Sequence, residues 1–171
     1  FMGRLEVQKP WQMTGVEGVS RFLNRVWRLV VDPDSGELQS RLSDAPASSE
    51  AELEKTLHKT LKKVTQNTES LQMNTAIAQM MIFVNEATKS TTLPRETIEA
   101  FLRALSPYAP HLSEELWQRL GHNELIARAT WPEYDEALCV DDLIGIAVQI
   151  NGKLRDELKV AKDASREELE E

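Results

Sequence analysis

Cysteine is almost absent from this sequence, and so are the features that mark several specialised classes of protein. The single cysteine, Cys139, excludes an internal disulfide framework and favours a reducing compartment, the cytoplasm. No apolar run approaches the roughly 20 residues of a membrane-spanning helix, and no secretion signal is visible. Hydrophobic residues make up 41% of the 171 positions, which is enough for one packed domain with an appendage.

The residue patterns that usually carry catalysis are also missing. His58, His111 and His122 fall on separate predicted elements without metal-ligand spacing. There is no phosphate-binding glycine loop, dinucleotide fingerprint, nucleophile elbow or zinc-protease motif. Glu114 and Glu115 are adjacent, so they point in different directions on a helix, and we interpret them as a solvated first-turn pair. We therefore expect no metal or cofactor in this chain and do not favour a free-standing enzyme.

The charge is unevenly distributed along the chain. The net charge of −8 argues at first against a nucleic-acid partner, since phosphates attract Lys and Arg. However, residues 133–171 contain 12 acidic and 5 basic residues, whereas the first 132 contain 16 and 15. The body of the chain is thus nearly neutral, and it can present a basic face.

Amphipathic helices are predicted for most of the chain. Between residues 15 and 31 apolar residues recur at helical spacing, and turn residues at 32–36 end the helix. A Ser/Ala/Pro-rich surface loop then runs to Ser49, which forms with Glu52 a capping-box pattern that opens a second helix.

Three further helices follow with short connections. Asn74 is a candidate N-cap for a third helix, which is apolar on nearly every side and is therefore expected at the centre of the bundle. Pro94 fits the first turn of a fourth helix and Pro110 that of a fifth, with Gly121 suited to the position after its end. The predicted fold class is all-α, a bundle of about five helices.

After residue 132 the periodicity changes from helical to that of a strand. Residues 144–150 alternate between apolar and smaller or polar side chains, and Asn151-Gly152 is a strong hairpin turn signal. Residues 153–160 are the candidate second strand, and Ser165 begins a further helix. A short, partial α/β appendage of one β-hairpin plus a helix is therefore predicted at the C-terminal end.

Two groups of basic residues are the strongest candidates for a functional surface. Arg21, Arg25 and Arg28 recur at i, i+4 and i+7, on one face of the first helix away from its apolar stripe. Residues 55–63 contain four lysines and no acidic residue. Such groups can neutralise phosphates. The alternative interpretation of the same spacing is a solvated polar face whose charges only maintain solubility.

Several stretches resemble bacterial-type leucyl-tRNA synthetases, in the order in which that family carries them. Residues 1–3, 9–11, 15–19 and 21–29 are similar to the lead-in and first helix of the family's anticodon-binding bundle, and residues 58–60, 63–65 and 74–78 to the next two helices. Residues 148–155 resemble the opening of its C-terminal domain. Residues 105–111, continuing through 115–117, resemble a motif shared with the valyl, isoleucyl and methionyl enzymes. Arg4 departs from the family, which usually has proline there.

The resemblance implies a division of labour. The family's ATP-binding signatures and its editing domain are absent from this sequence, so leucine activation with ATP would belong to a separate catalytic domain, and this chain would be inactive alone. The bundle would hold the body of leucine tRNA by shape and phosphate contact, with little reading of the anticodon. The implied partners are leucine tRNA and the rest of the synthetase, without DNA or membrane. Basic residues matched or adjacent to family positions are the candidate tRNA contacts: Arg21, Arg25, Arg28, Lys59, Lys62 and Lys63.

The predicted organisation has three parts. Residues 1–14 are a lead-in from the catalytic domain, residues 15–132 form the bundle, and residues 142–171 begin a C-terminal α/β domain that is incomplete. Both ends suggest a segment of a longer polypeptide. Two alternatives stay open: the bundle of a valyl- or isoleucyl-type synthetase, and a helical protein-interaction module without an RNA role. The stretches 74–78 and 148–155 argue against the first, and the second requires an acidic protein surface opposite the arginines.

Overall fold

The computed structural model describes residues 3–8, 10, 13–140, 143–150 and 153–161. The chain divides into two compact units, residues 1–139 and 140–171. The predicted Asn151-Gly152 turn and the helix predicted from Ser165 lie outside the described residues. Among the described helices, none combines the length and the hydropathy needed to cross a membrane.

The described residues of the first unit form a bundle of five helices, which confirms the predicted fold class. The helices are α1 Met13–Val30, α2 Ala51–Glu69, α3 Met73–Lys89, α4 Arg95–Leu105 and α5 Pro110–Arg119. α3 packs against both α1 and α2, while α4 contacts α2 and α5, and α5 contacts α1. The apolar stripes of all five helices therefore face one shared core.

The middle of the core is formed by two aromatic rings. Phe83 of α3 and Phe101 of α4 are fully buried and stack with ring centroids 4.5 Å apart and an interplanar angle of 26°. Met80, Leu61 and Leu102 are also buried in this core. α3 supplies Phe83 and Met80 to this core, but its opposite side is exposed, with Ile82 53% accessible. The expectation that its apolar composition places α3 at the centre of the bundle is therefore wrong.

Three predicted helix starts are wrong in detail. Ser49 does not cap α2, because the 3-10 turn Ala47–Glu50 precedes that helix and no side chain caps it. Asn74 lies inside α3, one residue after its start, and Pro94 lies one residue before α4. By contrast, Pro110 occupies the start of α5, and Gly121 follows its end with a φ of +99°, a conformation that glycine adopts without strain.

A short pair of strands holds the predicted surface loop against the bundle. β1 Leu42–Ser43 pairs in parallel with β2 Leu93–Pro94, and Leu42 lies opposite Leu93. The guanidinium of Arg41 also donates hydrogen bonds to the carbonyls of Ala87 and Ser90, at 3.1 and 3.0 Å, where α3 ends. Burial lowers the pKa of Arg41 from its ordinary value. The loop before α2 is thereby fixed to the α3–α4 connection.

The turn between α2 and α3 contains a strained residue. Leu71 has a φ of +56° and is 61% exposed. The left-handed region costs a residue with a Cβ atom about 1–2 kcal/mol.

We expect Leu71→Gly to raise the free energy of unfolding by about 0.5 kcal/mol, because the relief of strain exceeds the cost of the greater chain entropy of glycine in the unfolded state. The measurement is the urea midpoint. Leu125→Gly is the matched control: Leu125 is 51% exposed with a φ of −62°, so the change should be destabilising. A lower midpoint for Leu71→Gly would contradict the prediction.

The second unit contains an antiparallel hairpin. β3 Leu143–Ile150 pairs with β4 Lys153–Ala161, with Ile144 opposite Val160 and Ile150 opposite Lys153. The register shifts between Val148 and Gln149, which indicates a bulge. The first strand therefore occurs where the alternating pattern predicted it, and the second where a return strand was expected after the turn signal.

Candidate nucleic-acid interface

The three arginines of α1 lie on its solvent side. Arg21, Arg25 and Arg28 are exposed, whereas Phe22 and Val26 between them are buried in the core. Within the part of the chain that the structure describes, the side chains of Arg21 and Arg28 form no hydrogen bond or ion pair. Two cationic groups are thus presented to solvent without a compensating charge from the described residues.

Arg25 differs from its two neighbours because α3 holds its guanidinium in place. Arg25 Nη1 donates to Asn85 Oδ1 at 2.6 Å, and Nη2 donates to Thr88 Oγ1 at 3.3 Å. Both acceptors are neutral. These bonds therefore orient the guanidinium without cancelling its charge.

The lysines of α2 are not equivalent to one another. Lys63 is exposed, while Lys59 and Lys62 are half-buried. Lys62 Nζ lies 2.5 Å from Glu136 Oε2, and this bond raises the pKa of Lys62 above its usual value. The charge of Lys62 is therefore already compensated, and among the described residues no such partner faces Lys63.

The segment that compensates Lys62 lies along α2. His58 Nδ1 accepts a hydrogen bond from the backbone N–H of Asp135 at 2.9 Å, and Trp131 Nε1 donates to Thr65 Oγ1 at 2.8 Å. Spacing along the helix did not reveal this contact. The only signal in the sequence was the group of acidic residues at 133–136, opposite in charge to the lysines.

The two basic groups border the same exposed side of α3. Thr60 of α2 accepts a buried hydrogen bond from Gln79 of α3 at 3.1 Å, and Lys63 lies one turn after Thr60 on the solvent side. On the other border, Arg25 reaches Asn85. Residues 78, 82 and 85 of α3 recur at helical spacing and are exposed on the side of the helix that these contacts bound.

We define the candidate interface as this exposed side of α3 together with Arg21, Arg25, Arg28 and Lys63.

The histidines have structural contacts. The ring of His122 stacks on Trp117 with centroids 3.6 Å apart, and its Nε2 lies 2.9 Å from Glu99 Oε1. His58 is bonded to the segment along α2, and His111 is exposed near the start of α5. In the described part of the chain, no three His, Cys, Asp or Glu side chains are arranged to hold a metal ion.

The cysteine and the adjacent glutamates are not arranged as reactive groups. Burial raises the pKa of the Cys139 thiol, and a protonated thiol is a poor nucleophile. The prediction for Glu114 and Glu115 is wrong, because they lie beyond the first turn of α5. Glu114 accepts a bond from the backbone N–H of Ile126 at 3.0 Å, and Glu115 pairs with Arg119 at 2.7 Å. Glu114 thus anchors the chain that follows α5.

An apolar groove lies on another side of α1. It has a volume of about 560 Å³ and is lined chiefly by Val16, Val19, Leu23, Trp27 and Leu112. The guanidinium of Arg119 covers the ring of Trp27 at 5.0 Å from its centroid. Arg119 is paired with Glu115, whereas the cations of the candidate interface have no acidic partner among the described residues, so the two faces of α1 differ in chemistry.

Residues 50–170 match the family described as the anticodon-binding domain of tRNA ligase. This match covers most of the chain, which therefore belongs to that family. Among solved structures the chain is similar to a leucyl-tRNA synthetase from Agrobacterium radiobacter K84, determined as a ternary complex with tRNA and LeuAMS. The sequence identity is 28% and the TM-score is 0.69. The match covers 99% of this chain but 23% of the synthetase, and it confirms the resemblance drawn from the sequence.

Proposed function

We propose that this chain is the tRNA-binding bundle of a leucyl-tRNA synthetase. The observation that carries the proposal is the candidate interface, where Arg21, Arg25, Arg28 and Lys63 present cationic groups without acidic partners among the described residues. The membership in a family of anticodon-binding domains and the similarity to a synthetase solved with tRNA support it. The bound RNA would be leucine tRNA.

The role of the interface would be positioning. Contacts to phosphates determine register and orientation but carry no sequence information, and rigid helices hold such contacts at constant separation. The bundle would thus place the tRNA body so that its acceptor end reaches a catalytic domain outside these residues, where leucine and ATP would react. We propose that the chain itself needs no cofactor, works in the cytoplasm as part of the synthetase, and contacts neither DNA nor membrane.

The test is the binding of the chain to leucine tRNA and to an unrelated tRNA over a range of salt concentrations. Phosphate contact releases counterions, so affinity is expected to fall steeply as salt rises. A preference for leucine tRNA would show that the bundle contributes to identity. Absence of binding at low salt would overturn the proposal and favour a protein-interaction module, for which the apolar groove on α1 is a candidate surface.

Two neighbouring lysines provide a matched pair within the same assay. Lys63→Ala is expected to weaken tRNA binding about fivefold and to lower the salt slope by roughly one unit, because an uncompensated phosphate contact is lost. Lys62→Ala should have a smaller effect, since Glu136 already neutralises Lys62. Equal losses for the two variants would contradict this ranking, and so would a larger loss for Lys62→Ala.

A further inference from the structure

Arg25 is oriented by neutral groups although carboxylates serve as partners elsewhere in the bundle. Lys62 pairs with Glu136, Arg95 with Asp44 at 2.9 Å, and Arg119 with Glu115 at 2.7 Å. Glu86 is adjacent to Asn85 on α3, yet its carboxylate pairs with Lys89 at 3.0 Å. The partners of Arg25 are instead the amide oxygen of Asn85 and the hydroxyl of Thr88. The guanidinium thus gains a fixed orientation and keeps its full charge.

The geometry also leaves hydrogen-bonding capacity free. A guanidinium has five N–H donors in a rigid fork, and Asn85 and Thr88 each accept from one terminal nitrogen. About three donors therefore stay available for a ligand. Phosphate oxygens match this fork well, and a side chain that is already ordered loses less conformational entropy on binding.

We propose that Asn85 is a positioning residue that presents the guanidinium of Arg25 to an RNA phosphate. This inference rests on the proposed function, and it adds that α3 contributes to recognition through an uncharged side chain. An amide at position 85 is required because a carboxylate would compete with the phosphate for the same cation.

The test is Asn85→Asp in the complete chain, with leucine tRNA as the probe. The variant has nearly the same shape, but its carboxylate would pair with Arg25. We expect affinity to fall about tenfold near 0.1 M salt and the salt slope to fall by roughly one unit. The thermal midpoint should be unchanged or slightly higher, because the contact between α1 and α3 becomes an ion pair.

Two controls separate positioning from a general effect of negative charge. Ala78→Asp adds the same charge to the same exposed side of α3, two turns from Asn85. It should weaken binding less than Asn85→Asp, because only the carboxylate at position 85 would pair with the guanidinium of Arg25. In a chain that already carries Arg25→Ala, Asn85→Asp should cause little further loss, because the guanidinium that the new carboxylate would neutralise is absent. The double-mutant cycle thus isolates the part of the effect that depends on Arg25.

The inference and the proposed function fail in different ways. If the unaltered chain shows no salt-dependent tRNA binding, both are overturned. If it binds but Asn85→Asp and Ala78→Asp have equal effects, only the positioning role is overturned. A purely structural role for Asn85 would be shown by Asn85→Ala lowering the thermal midpoint without changing affinity or salt slope, and this too would overturn the inference.

Discussion

Replacing Phe83 by alanine is expected to lower the free energy of unfolding by about 3–5 kcal/mol. The Phe83 side chain is fully buried and stacks on Phe101 at 4.5 Å, so its removal would take apolar surface out of the core and leave a cavity between α3 and α4. Because domains of this size are stable by only about 5–15 kcal/mol, the loss would be a large share of the total. The measurement is urea denaturation followed by far-ultraviolet circular dichroism.

The control lies on the same helix. Ile82 is adjacent to Phe83 but is 53% exposed, so Ile82→Ala should cost less than about 1 kcal/mol. The comparison keeps the helix and the type of substitution constant while burial changes. Equal losses for the two variants would show that α3 does not present Phe83 to the core.

The largest functional effect is expected from the combined variant Arg21→Ala, Arg25→Ala, Arg28→Ala. Removing three phosphate contacts should lower affinity for leucine tRNA on the order of a hundredfold at moderate salt, and should reduce the salt slope by about three units. All three side chains are exposed, so the loss of stability should be small, about 1 kcal/mol, and it should come from the hydrogen bonds of Arg25 to Asn85 and Thr88. Affinity and slope are measured by titrating labelled tRNA at several salt concentrations.

Arg128→Ala is the matched control for this variant. Arg128 is also exposed, but it lies on the 3-10 turn Ile126–Arg128, which packs against α5. Its removal should leave the affinity within about twofold of the original, since one distant charge contributes little at physiological salt. If Arg128→Ala lowered the affinity as much as the loss of each α1 arginine, the net charge of the chain would determine binding, and the candidate interface would not.

The helices and their inward faces could be predicted from the sequence because the information is local. A helical repeat of apolar residues determines which side of the segment is buried, and the same repeat placed Arg21, Arg25 and Arg28 on the opposite side. The start and the end of α5 were likewise predictable from Pro110 and Gly121, since each residue acts through its own backbone preference. The alternating pattern of residues 144–150 predicted a strand for the same reason.

The starts of α2 and α4 could not be predicted in this way. Ser49 matches a capping pattern, but the backbone before α2 is held by more distant contacts: Glu96 accepts a hydrogen bond from the N–H of Ala47, and Leu42 pairs with Leu93. Pairs of this kind join residues about 50 positions apart. A two-residue strand has no periodicity, so nothing in the local sequence indicates it.

The sequence by itself determined which residues are basic, which helix carries each, and that those of α1 face solvent. Only the tertiary structure decided which of these charges stay available to a ligand. Lys62 is neutralised by Glu136, 74 residues away, and Arg25 is oriented by Asn85, 60 residues away. Helical spacing cannot distinguish these two cations, since the energy of a charge depends on its neighbours in space. Packing of the bundle places a carboxylate beside Lys62 and a neutral amide beside Arg25.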